Sequence, residues 1–332
     1  MRGLNDPRDS APRRRRAQAA VDIEVAIPDV APWSAGNTGI AYAWRFEGPA
    51  DGPRVTVQAL THGNEVCGAI ALDWLLRTGF RPSRGTLTLV FANIAAYEGF
   101  DPSDPFASRC LDEDFNRLWS EDTLDGPRHS RELQRARELR PLYDATDYLL
   151  DLHSMTDAAP ALALAGPHPK GVALARAIGM PQLIVSDTGH AAGKRLRDYA
   201  FFDDPDDPRS ALLLECGQHW ESASPVIAQQ AMLRFLAHFG LVEPEFAREH
   251  VDSAPLPPQV AIQVTEAITI RSERFGFVLP VHNLQSVAQG GTLIARDGDR
   301  EIRTPHDNCV LIMPTRRPRP GETAVRLGRV LA

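Results

Sequence analysis

The chain has 332 residues, enough for one large domain and a smaller one, and a 43% hydrophobic content can build a substantial core. A net charge of −7 argues against general affinity for nucleic acid, which needs a basic face to displace counterions from phosphate. No apolar run approaches the roughly twenty residues that cross a bilayer, and the opening segment lacks the apolar centre of a secretory signal, so no membrane partner is expected and the cytoplasm is the expected location.

Residues 1–20, rich in Pro, Asp and Arg and carrying the basic run Arg13 to Arg16, hold too few apolar side chains to fold and read as a solvated tail. From Val55 onward apolar strands alternate with amphipathic helices. Strands are expected at 55–60, 87–92, 148–152, 162–165, 183–185 and 211–214, and helices at 66–78 (closed by Gly79), 130–139, 171–178 and 225–239. Near-continuous apolar strands of this kind are covered on both faces, which predicts an α/β domain over 21–257 with a mostly parallel or mixed sheet flanked by helices. The stretch 94–128 shows neither helical nor strand period, and long loops in compact domains are usually functional.

After an Ala, Pro and Glu-rich link at 243–258 the pattern changes to short alternating strands with turns at Gly290-Gly291 and Asp297-Gly298. A small all-β domain over 258–332 is expected. Its glycine-rich turns suggest a carrier module, but such carriers need a lysine at a hairpin tip and none follows Lys194. The domain is therefore expected to shape or cover a cleft, or to mediate homo-oligomer contacts. The cysteines, Cys67, Cys110, Cys216 and Cys309, form no C-x-x-C pair and read as reduced structural thiols.

Two strand ends carry metal-binding residue types. His62-Gly63-Asn64-Glu65 sets an imidazole and a carboxylate three residues apart where a strand breaks into a helix, and Asp151-Leu152-His153-Ser154 ends a later strand. A catalytic zinc keeps three protein ligands and one open vertex, and two histidines with a glutamate are a known set. Both segments close apolar strands, and in open parallel sheets the crevice at the strands' carboxyl ends is where ligands bind. Asp151 leaves the strand on the same face as His153, either to orient that imidazole or as a cap at the strand end.

These residues carry a resemblance. Thr61 to Glu65, Arg109 followed by Asp114-Phe115-Asn116-Arg117, Asp151-Leu152-His153, and Glu215-Cys216-Gly217 resemble, in order, the motifs of the succinylglutamate desuccinylase/aspartoacylase family, relatives of the zinc carboxypeptidases. The resemblance implies one Zn2+ per chain held by His62, Glu65 and His153, Glu215 as general base, Arg109 polarising the scissile carbonyl, and Asn116 with Arg117 holding a substrate carboxylate. The implied enzyme is a zinc-dependent deacylase acting on a small acylated amino acid or related carboxylate.

The chemistry asks for the same residue types. Zinc acidifies water, a nearby carboxylate takes the proton and returns it to the leaving amine, and arginine grips a carboxylate with paired hydrogen bonds. Taken without the resemblance, Arg109 and Arg117 read better as mere partners of Asp112, Glu113 or Asp114. A peptidase or esterase using the same zinc, and a non-catalytic zinc protein, remain as alternatives.

Overall fold

A computed structural model describes residues 22–190 and 192–331; the tail expected over 1–20 lies outside the described residues. In chain order the elements are β1 (Ala43–Glu47), β2 (Arg54–Ala59), α1 (Val66–Arg77), β3 (Thr86–Phe91), α2 (Ile94–Tyr97), α3 (Glu121–Leu124), α4 (Arg131–Asp144), β4 (Tyr148–Met155), β5 (Leu162–Leu164), α5 (Pro169–Ile178), β6 (Leu183–Ser186), β7 (Ser210–Gln218), α6 (Ala223–His238) and α7 (Pro244–His250). Then follow β8 (Val260–Thr269), β9 (Phe275–Phe277), β10 (Gln285–Val287), β11 (Leu293–Asp297), β12 (Arg300–Arg303), β13 (Cys309–Ile312) and β14 (Thr323–Val330).

The expected strands and helices of the α/β part are present, with ends shifted by a few residues. Gly79 adopts φ +72°, the left-handed geometry that closes a helix without a Cβ clash, and so ends α1 where the sequence places the stop. Two expectations need correction. The stretch 94–128 is not free of helix: it folds into α2, α3 and two 3-10 turns at Ala107–Arg109 and Phe115–Arg117, pieces too short to show a period. The 243–258 link contains α7, started by Pro244 at its first position.

The sheet is mixed and has eleven strands in the order β1-β3-β2-β4-β7-β5-β6-β8-β14-β13-β10, beside a three-stranded sheet β12-β11-β9. β2, β3, β4 and β7 run parallel, and β5 joins β7 antiparallel. β6 and β8 pair in parallel, so four strands of the C-terminal β segment extend the same sheet.

Alternation on the central strands separates two cores. Val55, Val57, Ala59, Leu150, Leu152, Leu212 and Leu214 pack with α1, α5 and α6, while Leu149 and Ala211 turn to the other face against Leu133, Ala136 and Leu139 of α4. Asp151, His153 and Glu215 follow the parity of Leu149 and Ala211, and so emerge on the α4 side.

Candidate active site

The β2–α1 connection begins with a left-handed residue that is not glycine. Leu60, buried at φ +60°, costs roughly 1–2 kcal/mol of backbone strain and swings the chain off the strand so that His62 faces the sheet edge. Glu65 then sits at the N-cap of α1, where the helix dipole favours negative charge.

Gly63 allows the close approach that completes this corner. A Cβ there would lie 2.4 Å from the Ala96 carbonyl carbon, 2.4 Å from Ser108 O and 2.5 Å from Tyr97 N, all of them backbone. Its amide donates to Arg109 O at 3.1 Å, which ties the Arg109 turn to the His62 loop. Gly63→Ala should therefore destabilise by about 1–3 kcal/mol and lower activity together with stability, as thermal unfolding beside a turnover assay would show. An unchanged melting temperature would contradict the packing.

His62, Glu65 and His153 come together as a buried group whose donor atoms all lie within 4.8 Å of one another. His62 Nδ1 is 2.8 Å from Glu65 Oε1, and His153 Nδ1 is 2.8 Å from Glu65 Oε2. The opposite ring nitrogens meet carboxylates: His62 Nε2 donates to Asp114 Oδ1 at 2.9 Å and His153 Nε2 to Asp151 Oδ2 at 2.8 Å. Each imidazole is thus held between two carboxylates, its Nδ1 turned toward Glu65 and its Nε2 anchored on the far side. Asp151 is thus an orienting residue, its other oxygen accepting from Gln58 at 3.0 Å and Thr61 at 2.8 Å.

The charges of this cluster suit a divalent cation. Burial alone would raise the Glu65 carboxyl, yet His62 and His153 hold it well below the ordinary carboxylate range. Burial alone would lower His153, yet Asp151 and Glu65 hold it well above the ordinary imidazole value. A metal ion there would take the Nδ1 lone pairs and the Glu65 oxygens.

Arg109 and Asp114 reach the cluster from the aperiodic stretch. Arg109 donates through Nη2 to Asp114 Oδ2 at 3.0 Å and through Nη1 to Glu65 Oε1 at 3.4 Å. A glutamate of α4 holds this loop: buried Glu132 accepts from the amides of Leu111 at 2.6 Å, Asp112 at 3.0 Å and Glu113 at 3.4 Å. Asn116 gives its side-chain oxygen to Leu196 N at 3.0 Å, and Arg117 Nη1 donates to Asn116 O at 2.6 Å.

Glu215 stands beside His153, because the parallel register of β4 and β7 pairs these two positions. One of its oxygens, Oε2, is buried without a partner among the described residues. Burial, followed by the neighbouring Glu65 charge, raises its carboxyl to about 7. His219 closes the same side, its Nδ1 2.8 Å from Ser154 Oγ, and burial lowers it to about 4 so that it is neutral near pH 7.

All seven residues singled out by the sequence, His62, Glu65, Arg109, Asn116, Arg117, His153 and Glu215, line one cavity of about 600 Å³. The C-terminal β segment supplies the facing wall through residues such as Asn283, Thr323 and Arg326. Sequence reasoning missed Asp114, Glu132 and Arg326, and it left out Arg195 and Arg197, which it read as possible carboxylate contacts but more commonly solvated surface arginines. Both are buried: Arg195 forms paired contacts to Asp187 (2.7 and 3.0 Å) and Asp198 (2.6 and 3.0 Å), and Arg197 donates to Asp198 at 2.6 Å. The nearby aspartates in 187–198 were the available signal.

Comparison with known proteins accords with this geometry. The chain is similar to the N-acyl-aromatic-L-amino acid amidohydrolase (carboxylate-forming) of Mus musculus, 40% identical over 118 residues, 31% of this chain and 34% of that protein. It is also similar to a probable aspartoacylase of Parasynechococcus marenigrum, 34% identical over 137 residues, 38% of this chain and 44% of that protein. The chain thus matches less than half the length of these curated relatives.

Among solved structures it resembles a succinylglutamate desuccinylase of Vibrio parahaemolyticus, with TM-score 0.66, 18% identity and coverage of 88% and 87% of the two chains. It likewise resembles the product-bound ectoine utilization protein EutE (DoeB) of Ruegeria pomeroyi, with TM-score 0.60, 17% identity and coverage of 86% and 87%. At these identities the likeness is one of fold. Residues 51–238, more than half of the chain, match the succinylglutamate desuccinylase/aspartoacylase catalytic domain, and the chain belongs to that family.

Proposed function

We propose that the protein is a zinc-dependent hydrolase that cleaves the amide bond of a small N-acyl amino acid, giving a carboxylate and a free amine. The observation that carries this reading is a buried carboxylate oxygen of Glu215 without a partner, beside a His, Glu, His group facing a cavity. The donor set, two imidazole nitrogens and a carboxylate with the far nitrogens already held, fits zinc. When bound there, zinc would polarise an acyl oxygen and lower the pKa of a water toward ~7.

The chain's own residues supply the remaining steps. Glu215, poised near neutrality, takes a proton from the attacking water and gives it to the amine nitrogen as the C–N bond breaks. Arg109, partly exposed to the cavity and fixed by Asp114 and Glu65, donates to the carbonyl oxygen as negative charge builds there. Asn116 has its oxygen committed to Leu196, which leaves its amide donor, with Arg117, for a substrate carboxylate.

Among the described residues no helix is long and apolar enough to cross a membrane. The four cysteines are unpaired, which supports the cytoplasm as the proposed location. A peptidase or esterase would share this centre and differ in what fills the cavity.

The test is turnover of a panel of N-acyl amino acids, their esters and short peptides before and after chelation. Chelated protein should lose at least about 10³-fold in kcat/KM, regain it with one equivalent of zinc, and melt at a lower temperature without the metal. Full turnover in chelated, metal-free protein would refute the assignment.

A further inference from the structure

Positive charge is left over in the wall of the cavity. Arg195, Arg197 and Arg326 are gathered around Asp187 and Asp198, and Arg117 lies within reach of the charges of Arg195 and Arg326. Arg195 takes both oxygens of Asp187, at 2.7 and 3.0 Å, and shares Asp198 with Arg197. What remains for Arg326 is a distant approach of its Nε to Asp187 Oδ2 at 3.5 Å. Arg117 is equally poor in anionic partners, since Asp114 stands 3.8 Å from its Nη2 and is already engaged by His62 and Arg109.

His190 contacts Arg326 and lies within reach of the Arg117 charge. Arg326 Nη2 is 2.8 Å from its Nε2, and burial followed by the charges of Arg326 and Arg117 lowers the imidazole to about 2, so it remains neutral and cannot offset them. Among the described arginines with displaced pKa values, Arg117 and Arg326 alone are lowered; burial is the largest cause, with like charges adding to it. Arg326 is only 5% exposed, and an under-paired cation so deeply buried costs several kcal/mol unless an anion joins it. Both residues line the cavity that holds Glu215.

We propose that Arg326, on β14 of the C-terminal β segment, is the second arm of a carboxylate clamp whose first arm is Arg117, so that this segment selects substrates by their carboxylate. The proposal rests on the reading of the cavity as the site of a carboxylate-bearing substrate. It assigns the C-terminal β segment a direct part in specificity. A planar carboxylate suits the site better than a neutral amide, because two guanidinium forks can each offer it an N–H.

The experiment compares N-acetyl derivatives of alanine, leucine and phenylalanine, whose one carboxylate is the α-group, with their α-carboxamides, using wild-type protein, Arg326→Gln and Arg326→Lys. A charged hydrogen bond is worth about 1.5–3 kcal/mol, so KM for the free acids should rise about 10–100-fold in Arg326→Gln, with kcat changed far less. The carboxamides should lose nothing, and Arg326→Lys should recover part of the acid preference. Metal content and melting temperature, measured alongside, distinguish this from misfolding, which would affect acid and amide alike.

Calorimetric binding of the same acids to Glu215→Gln, with and without Arg326→Gln, gives a readout independent of turnover. Turnover without Arg326 dependence overturns the clamp and leaves the hydrolase standing. Arg326-dependent binding without wild-type turnover overturns the hydrolase and leaves the clamp. Equal losses on acids and carboxamides, or no binding of any acid, overturns the clamp.

Discussion

Glu215→Gln should lower kcat by about 10²–10⁴-fold while the protein still binds one metal ion per chain, because the substitution removes only the proton acceptor and keeps the shape of the side chain. Retention of metal is the discriminating part, since Glu215 is not among the clustered donor atoms of His62, Glu65 and His153. Metal analysis beside steady-state kinetics decides it. Unchanged turnover would remove Glu215 from the mechanism.

The same substitution should stabilise the metal-free protein in a pH-dependent way. The carboxyl rises from 4.5 to about 7 on folding, so between these values the folded state binds more proton than the unfolded chain. Stability therefore declines as pH climbs from 4.5 toward 7, and the full cost, roughly 3 kcal/mol, applies above 7. Glutamine copies the neutral acid. The variant should melt several degrees above wild type at pH 8 and level with it at pH 4, and a gain largest at pH 4 would reverse the sign of the argument.

His153→Ala should cost more than any other single change considered, abolishing both metal binding and turnover. It removes one of three clustered donors and leaves Glu65 and Asp151, both buried, without the imidazole between them. Breaking a buried ion pair in this way costs about 3–5 kcal/mol, so the metal-free variant should also be markedly less stable. Asp151→Asn keeps the donor atoms but loses the carboxylate charge that anchors the imidazole, and its loss should stay within about 10–100-fold in metal affinity or activity. Metal titration and thermal unfolding of both variants provide the check. A His153→Ala protein that retained one equivalent of metal and normal turnover would dissolve the proposed site.

Much of the site was legible because it lies at strand ends. A strand followed by His62-Gly63-Asn64-Glu65, another ending in Asp151-Leu152-His153 and a third ending at Glu215 are local patterns, and parallel pairing aligns their ends without further information. Asp114 and Glu132 could not be weighed in the same way. Their roles come from contacts across 52 residues to His62 and across 19 to 21 residues to the amides of 111–113, which no periodicity records.

The sequence by itself determined the alternation of strands and helices, the two strand-end motifs and the change to short β-strands after 258, because each is written in residues close together in the chain. Only the tertiary structure decided that β8 docks beside β6, so that the late strands extend the central sheet and bring Arg326 to the cavity. Which charges are paired was likewise settled there. A guanidinium looks the same in a sequence whether it is solvated, locked to two aspartates like Arg195, or left short of an anion like Arg326, and only burial together with the partners in reach separates these states.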